Sequence, residues 1–359
     1  MKYLYYCNSA YQMLNALNLN WHRKYAGFEN IDNYSADLVI LGVFPDADKY
    51  GKAITKESVF ENVYLISRVK NNGRIHLLKT IYGIINPSYY LKRAGIEEPL
   101  KLKEKYDYLV VPKFSNASAA IWQLNKKAKL QLYEDGLALY DGTTERSTLV
   151  SSNKTYKLLY KAFNYGRDFE EYEKVYLNKK SMYYNTKSEK AIQTPKFDNY
   201  YMNSVKEQLS CRKEMYNNKA IIWFGQPEDP ENIEETRKAL LNLKDKVVYK
   251  PHPRYGGDIK DFDIYENSAV WELDMLNIDD INSKCLVTFD STSVFTPKML
   301  YDFEPYIVLT FNIIKQKGDE DFKKLLNRFI DTYKDKNRII IPDSVDELKR
   351  SIKRIAKTG

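Results

Sequence analysis

Short apolar runs alternate with amphipathic stretches along most of this 359-residue chain. Lys2–Cys7, Leu38–Val43, Val63–Ile66, Tyr108–Val111 and Leu130–Tyr133 are rich in Val, Ile, Leu and Tyr, as strands buried on both faces are. Between them the period changes. Residues 10–24 place Leu14, Leu17 and Trp21 at helical spacing, and residues 115–125 form an Ala-rich run opened by a serine cap. A polar helix is predicted between the second and third strands. Another surrounds residues 77–85 and is closed by Asn86-Pro87. Strands alternating with helices imply a parallel sheet covered on both sides.

Alternation lapses over residues 151–215, which are rich in Tyr, Lys, Asn and Glu and show only a weak helical pattern at 157–163. It resumes with strands predicted at 220–224, 247–249, 285–289, 306–309 and 338–341. Helices are predicted from Pro230, over 294–300 and 322–333, and after the cap Asp343-Ser344, where Val345, Leu348, Ile352 and Ile355 share a face. The expected organisation is two Rossmann-like α/β lobes, residues 1–150 and 216–359, joined by a helical or linker region at 151–215. Ligands of such lobes bind at the carboxyl ends of the strands, here in a cleft between the lobes.

Composition narrows the class. With 43% hydrophobic and 29% charged residues the chain has a soluble, globular make-up, and no run approaches a membrane span. The start shows no secretory h-region, so a cytoplasmic location is expected. The net charge of +8 is spread along the chain without a nucleic-acid-binding motif, which argues against nucleic acid as a partner. Cys7, Cys211 and Cys285 cannot all pair and have no metal-ligand spacing.

Three strand ends carry candidate chemistry. Glu134-Asp135-Gly136 sets two carboxylates before a glycine, so one can face a ligand while the other bonds to backbone; an ordinary acidic turn is the alternative. Lys250-Pro251-His252-Pro253-Arg254 presents an imidazole from a stiff, basic loop, suited to a phosphate oxygen or a leaving group. Ser291-Thr292-Ser293 lies between a strand and a helix, where hydroxyls and free N–H groups form an anion site or simply a cap. Ser9 and Gln12 border the first strand end, with a plain helix cap at Ser9 as the other reading. Asp229 follows the first strand of the second lobe and is a second source of a base.

Asp46-Ala47-Asp48 and Asp261-Phe262-Asp263 match an Asp-x-Asp metal pattern, but neither ends a convincing strand, so no metal is expected. His22 and His76 fall in helical patterns and read as packing or surface side chains. Asn116-Ala117-Ser118 matches a glycosylation acceptor without consequence in a cytosolic chain.

The order acid-acid-Gly, His-Pro and Ser/Thr cluster resembles the motif set of bacterial sialyltransferases. It is closest in size and style to glycosyltransferase family 52, the lipooligosaccharide and capsule enzymes. The polysialyltransferases share the set, and Asn8-Ser9-Ala10-Tyr11-Gln12 also looks like the start of that family. The resemblance implies a GT-B architecture and inverting, metal-independent transfer of sialic acid from CMP-sialic acid. The acceptor it implies is the terminal galactose-type hydroxyl of a surface glycan or glycolipid. It gives Asp135 the role of base with Glu134 beside it, or Asp229 in its place. His252 acts on the CMP phosphate, and Ser291, Thr292 and Ser293 hold that phosphate. Gly136, Lys250, Pro253 and Arg254 complete the donor side. CMP-sialic acid is a substrate, and no cofactor is implied. A homodimer accords with the family. Two other readings use the same parts: a GT-B enzyme taking a UDP- or GDP-hexose, and a non-catalytic nucleotide- or carbohydrate-binding protein. Lys349, Arg350, Lys353, Arg354 and Lys357 on the final helix offer a peripheral contact with the inner membrane, or a solvated face.

Overall fold

The apolar runs pair side by side in one direction. A computed structural model describes residues 1–67, 82, 86–96, 102–103, 105–113, 115–140, 172–207, 214–226, 230–252, 259–265, 270–313 and 320–358. Two compact units divide the chain, Met1–Pro195 and Lys196–Gly359.

In the first unit, β1 (Lys2–Cys7), β2 (Ser35–Gly42), β3 (Val63–Ser67), β4 (Tyr108–Val111), β5 (Lys129–Tyr133), β6 (Tyr172–Leu177) and β7 (Ala191–Gln193) form one sheet. Its order is β3-β2-β1-β4-β5-β6-β7, and every pairing is parallel. Helices α1 (Ala10–Tyr25), α2 (Ala47–Lys56), α3 (Pro87–Arg93) and α4 (Asn116–Leu124) accompany it. The structure draws the domain boundary differently from the expectation of a helical linker over 151–215. Residues 172–177 and 191–193 are strands that extend the first sheet, and the division falls after Pro195. Their pattern hid them: in Tyr-Glu-Lys-Val-Tyr-Leu only the last three positions form an unbroken buried run. Asn86-Pro87, expected to close a helix, also opens one: the Asn86 N–H donates to the Tyr82 carbonyl at 2.8 Å, as at a helix end, while its side chain accepts from the Tyr89 N–H and caps α3. The helical patterns at 77–85 and 157–163 lie essentially outside the described residues.

In the second unit, β8 (Ile221–Phe224), β9 (Val247–Lys250), β10 (Asp263–Ile264), β11 (Cys285–Thr288), β12 (Tyr306–Leu309) and β13 (Ile339–Ile340) form a parallel sheet of order β10-β9-β8-β11-β12-β13. Its helices are α5 (Asn199–Glu207), α6 (Glu214–Asn217), α7 (Pro230–Leu240), α8 (Trp271–Asp274), α9 (Glu320–Ile330) and α10 (Val345–Thr358). Side chains alternate between the faces with period two. Ile221, Trp223, Val247, Tyr249, Cys285 and Val287 share a core with Leu240 of α7 and Leu348, Ile352 and Ile355 of α10. Phe224 and Lys250 belong to the alternate set, and they meet Trp271 and Asp274 of α8. The helix predicted at 294–300 is instead a 3₁₀ turn, Thr292–Val294, followed by a π-turn, Pro297–Tyr301.

Both sheets therefore run outward from a first strand in two directions, β1 toward β2 and β4, β8 toward β9 and β11. Those two junctions are the topological switch points where Rossmann-type sheets take ligands.

The first unit buries a full positive charge at Arg23. The Arg23 side chain has no exposed surface and pairs with Glu29 at 2.8 Å. Its guanidinium also donates to Tyr5 Oη and Gln131 Oε1, and its centre lies 4.7 Å from the ring centroids of both Tyr3 and Tyr176. One side chain thus ties the end of α1 to β1, β5 and β6. Replacing Arg23 by Met leaves those acceptors facing an apolar chain and is expected to lower stability by about 3 kcal/mol in urea unfolding. A loss under about 1 kcal/mol would mean that the charge does not organise this face.

Candidate functional site

At the switch point of the first unit, residues beyond the ends of β1, β4 and β5 interlock. Ser9 follows β1 and caps α1, its hydroxyl accepting from the Gln12 N–H at 3.2 Å. Gln12 then spans the gap between strand ends: its Oε1 accepts from the Asn8 N–H at 2.8 Å, and its Nε2 donates to Asp135 Oδ1. Lys113, just past β4, pairs with Asp135 Oδ2 at 3.0 Å and is about half exposed (49%). Asp135 is thus held by one neutral and one cationic donor at an accessible edge.

Glu134 faces the other way. It is buried and accepts from the hydroxyls of Tyr11 and Tyr140 and from the Asn178 N–H. Burial pushes its carboxyl pKa up, against the lowering effect of those donors. Adjacent residues in extended chain point to opposite sides, so one acid braces α1, β5 and β6 while its neighbour meets solvent. Gly136 closes the motif at φ 113°, a backbone region that favours glycine, and opens onto free space.

At the switch point of the second unit, Gln226 follows β8 and donates to Asp290 Oδ1 at 2.6 Å, while its Oε1 accepts from Thr288 Oγ1 at 3.1 Å. The Ser291 N–H donates to Thr288 Oγ1, and Ser291 Oγ accepts from the Ser293 N–H, both at 3.3 Å. Thr292 is exposed, with Ser291 and Ser293 partly so. The hydroxyl cluster opens a three-residue 3₁₀ turn, so an anion there would be held by hydroxyls and local N–H groups without the dipole of a long helix. Gly225 has a packing reason: a Cβ there would run into the Tyr249 hydroxyl and ring.

One strand away, Pro251 and His252 follow β9, both partly buried. Lys250 does not lend its charge to this loop. Its ammonium turns inward to Asp274 Oδ2 at 2.7 Å, in a pair with side chains 9% and 0% exposed, and it lies 4.8 Å from the Tyr265 ring centroid. The hydroxyls of Tyr216 and Tyr265 also reach Asp274, at 3.3 and 3.4 Å. In the same cluster burial, reinforced by the Asp274 charge, pushes Glu272 up to about 7 despite Lys250 and Thr296.

Pro253, Arg254 and Asp229 lie outside the described residues. Strands β8 and β9 do pair, with Phe224 opposite Lys250. Each Asp-x-Asp pattern carries ion pairs: Asp46 with Lys49 at 2.9 Å, Asp261 with Arg237 at 2.6 Å and Asp263 with Lys219 at 2.5 Å. His22 packs edge-on to Trp21. Cys7 and Cys285 are buried free thiols, and burial raises both pKa values. Two site residues escaped the sequence reading. Lys113 and Asp290 become notable only once β4 is known to flank β1 and β11 to flank β8.

No protein-family model and no curated protein matches the sequence. Solved structures align over nearly its whole length. The UDP-GlcNAc 2-epimerase from Neisseria meningitidis bound to UDP-GlcNAc superposes with a TM-score of 0.55 at 12% identity, covering 99% of this chain and 92% of that one. The Methanocaldococcus jannaschii UDP-GlcNAc 2-epimerase in complex with UDP-GlcNAc and UDP gives 0.53 at 12%, covering 99% and 92%. The S. aureus MnaA–UDP co-structure gives 0.53 at 12%, covering 99% and 88%. At such identity the likeness is one of fold: two Rossmann-like parallel-sheet units of the GT-B class.

The Glu272 carboxyl supplies a pH signature. Between its ordinary value of 4.5 and its folded value of about 7, the folded chain holds a proton that the unfolded chain has released. Stability from this group therefore falls as pH rises through that window and levels off above it. Urea midpoints measured across the window should decline less steeply for Glu272→Gln than for the parent. Parallel curves would show that the buried acid is already ionised.

Proposed function

We propose that this chain is a GT-B glycosyltransferase using a nucleoside-diphosphate sugar, with UDP-sugars first among its donors. The observation that carries the reading is the superposition of 99% of the chain on nucleotide-sugar enzymes described with UDP-GlcNAc or UDP bound. In this reading Asp135 takes the proton of an acceptor hydroxyl. The acceptor oxygen bonds to the anomeric carbon as the bond to the phosphate oxygen breaks, and the nucleotide leaves with the electron pair. His252 and the hydroxyls of Ser291, Thr292 and Ser293 stabilise the leaving phosphate. Asp290, exposed beside Gln226, suits the ribose hydroxyls. Gln12 and Lys113 fix the orientation of Asp135. Glu134 acts as the brace that sets the motif in place.

A second donor, CMP-sialic acid, is favoured by the joint order of Glu134-Asp135-Gly136, His252-Pro253 and Ser291-Thr292-Ser293. The charge balance points the same way. With Lys250 committed to Asp274, the described strand ends β8, β9 and β11 offer hydroxyls and one imidazole beside the Asp290 carboxylate, a set better matched to a single phosphate than to a diphosphate.

Calorimetry with UDP, GDP and CMP, followed by product analysis with the matching sugar donors and a galactoside, separates these readings. Tight UDP binding and glycoside formation are expected for the first, while CMP binding without UDP binding selects the second. A UDP-GlcNAc sample held without acceptor and followed by proton NMR reports epimerisation, which would replace transfer as the activity. For whichever donor reacts, Asp135→Asn and His252→Ala should each lower kcat/KM by about a hundredfold or more, with the unfolding midpoint little changed. Unaltered turnover in both variants would remove these residues from the chemistry.

A further inference from the structure

The last helix segregates its charge in a way that folding does not require. Its acids sit in the first turn, where the Glu347 carboxylate accepts from the Asp343 N–H at 2.9 Å and Ser344 Oγ accepts from the Glu347 N–H at 3.3 Å. Leu348, Ile352, Ile355 and Ala356 are buried in the core of the second unit, and Lys246 Nζ closes the far end by donating to the Ala356 carbonyl at 2.6 Å. Lys349, Arg350, Lys353, Arg354 and Lys357 are all exposed and form no ion pair or side-chain hydrogen bond with any described residue. At 3.6 residues per turn these cations cover about 140° of arc over about 12 Å of axis. That arc lies opposite the buried stripe.

We infer that this face of α10 docks the protein on an anionic membrane surface. Its apolar stripe is already committed to the core, so the helix has nothing to insert among acyl chains and the contact is electrostatic alone. A broad exposed band of flexible cations, with no Asn, Gln or aromatic side chain between them to read a base edge, complements a plane of lipid phosphates better than a nucleic-acid groove. Charge unmatched among the described residues is matched by the headgroups.

Sedimentation with phosphatidylcholine vesicles, with and without phosphatidylglycerol, tests this on the full chain. Binding is expected only to the anionic vesicles, and it should disappear near 1 M salt, where the screening length is about 3 Å. Each neutralised cation should weaken partitioning by about five-fold. Changing all five to Gln should therefore cost more than about a hundredfold, while Lys126→Gln with Lys127→Gln, on the other unit, should change nothing. Circular dichroism checks that each variant is folded. The inference is overturned by binding that ignores phosphatidylglycerol, by equal loss in the Lys126/Lys127 control, or by tighter association with duplex DNA than with the vesicles.

Discussion

A parallel sheet covered on both faces has almost no position along its strands where a polar side chain can meet a ligand. Every residue from Ile221 to Phe224, Val247 to Lys250 and Cys285 to Thr288 is buried. Ligand chemistry is therefore displaced to where the apolar run stops, and the strand order decides which stops are neighbours. In the first unit this places the ends of β1, β4 and β5 together, which is why Gln12, Lys113 and Asp135 touch although they are far apart in sequence. In the second unit it brings Gln226 to Asp290.

The same burial dictates how charges behave below those ends. A charge within the layers needs a partner or a dense set of hydrogen bonds. Arg23 has Glu29 and three polar neighbours, Glu134 has two tyrosines and a backbone N–H, and Lys250 has Asp274. These groups share residue types with the site but do a different task. Lys250 is the clearest case. In sequence it stands two residues from His252 and reads as part of a basic loop; in the fold it is the last buried position of β9, and its ammonium is consumed inside.

Low identity with a shared fold follows from the same constraint. A strand in such a sheet asks only for apolar bulk of suitable shape, a demand met by many sequences. At 12% identity the scaffold persists while the side chains at its ends are free to differ. The fold therefore fixes where ligand-binding groups can stand, and which ligand they suit rests on the side chains at the strand ends.

Much of this was legible from the chain. Tyr108–Val111 and Tyr306–Leu309 coincide with the predicted strands, because unbroken Val, Ile and Leu between polar stops has one reading. The strands β6 and β7 were not legible: the first mixes Glu and Lys into its opening half and the second is three residues long, so both depend on the neighbouring strand for their existence. At the strand ends of the two units, Asp135 and His252 could be singled out because glycine and proline mark where a strand ends in a constrained turn. Lys113 and Asp290 carry no such local mark. An isolated lysine after Val-Val-Pro and an aspartate after Thr-Phe are ordinary residues until strand order sets them against Asp135 and Gln226. Their role is a property of topology, which no local pattern encodes.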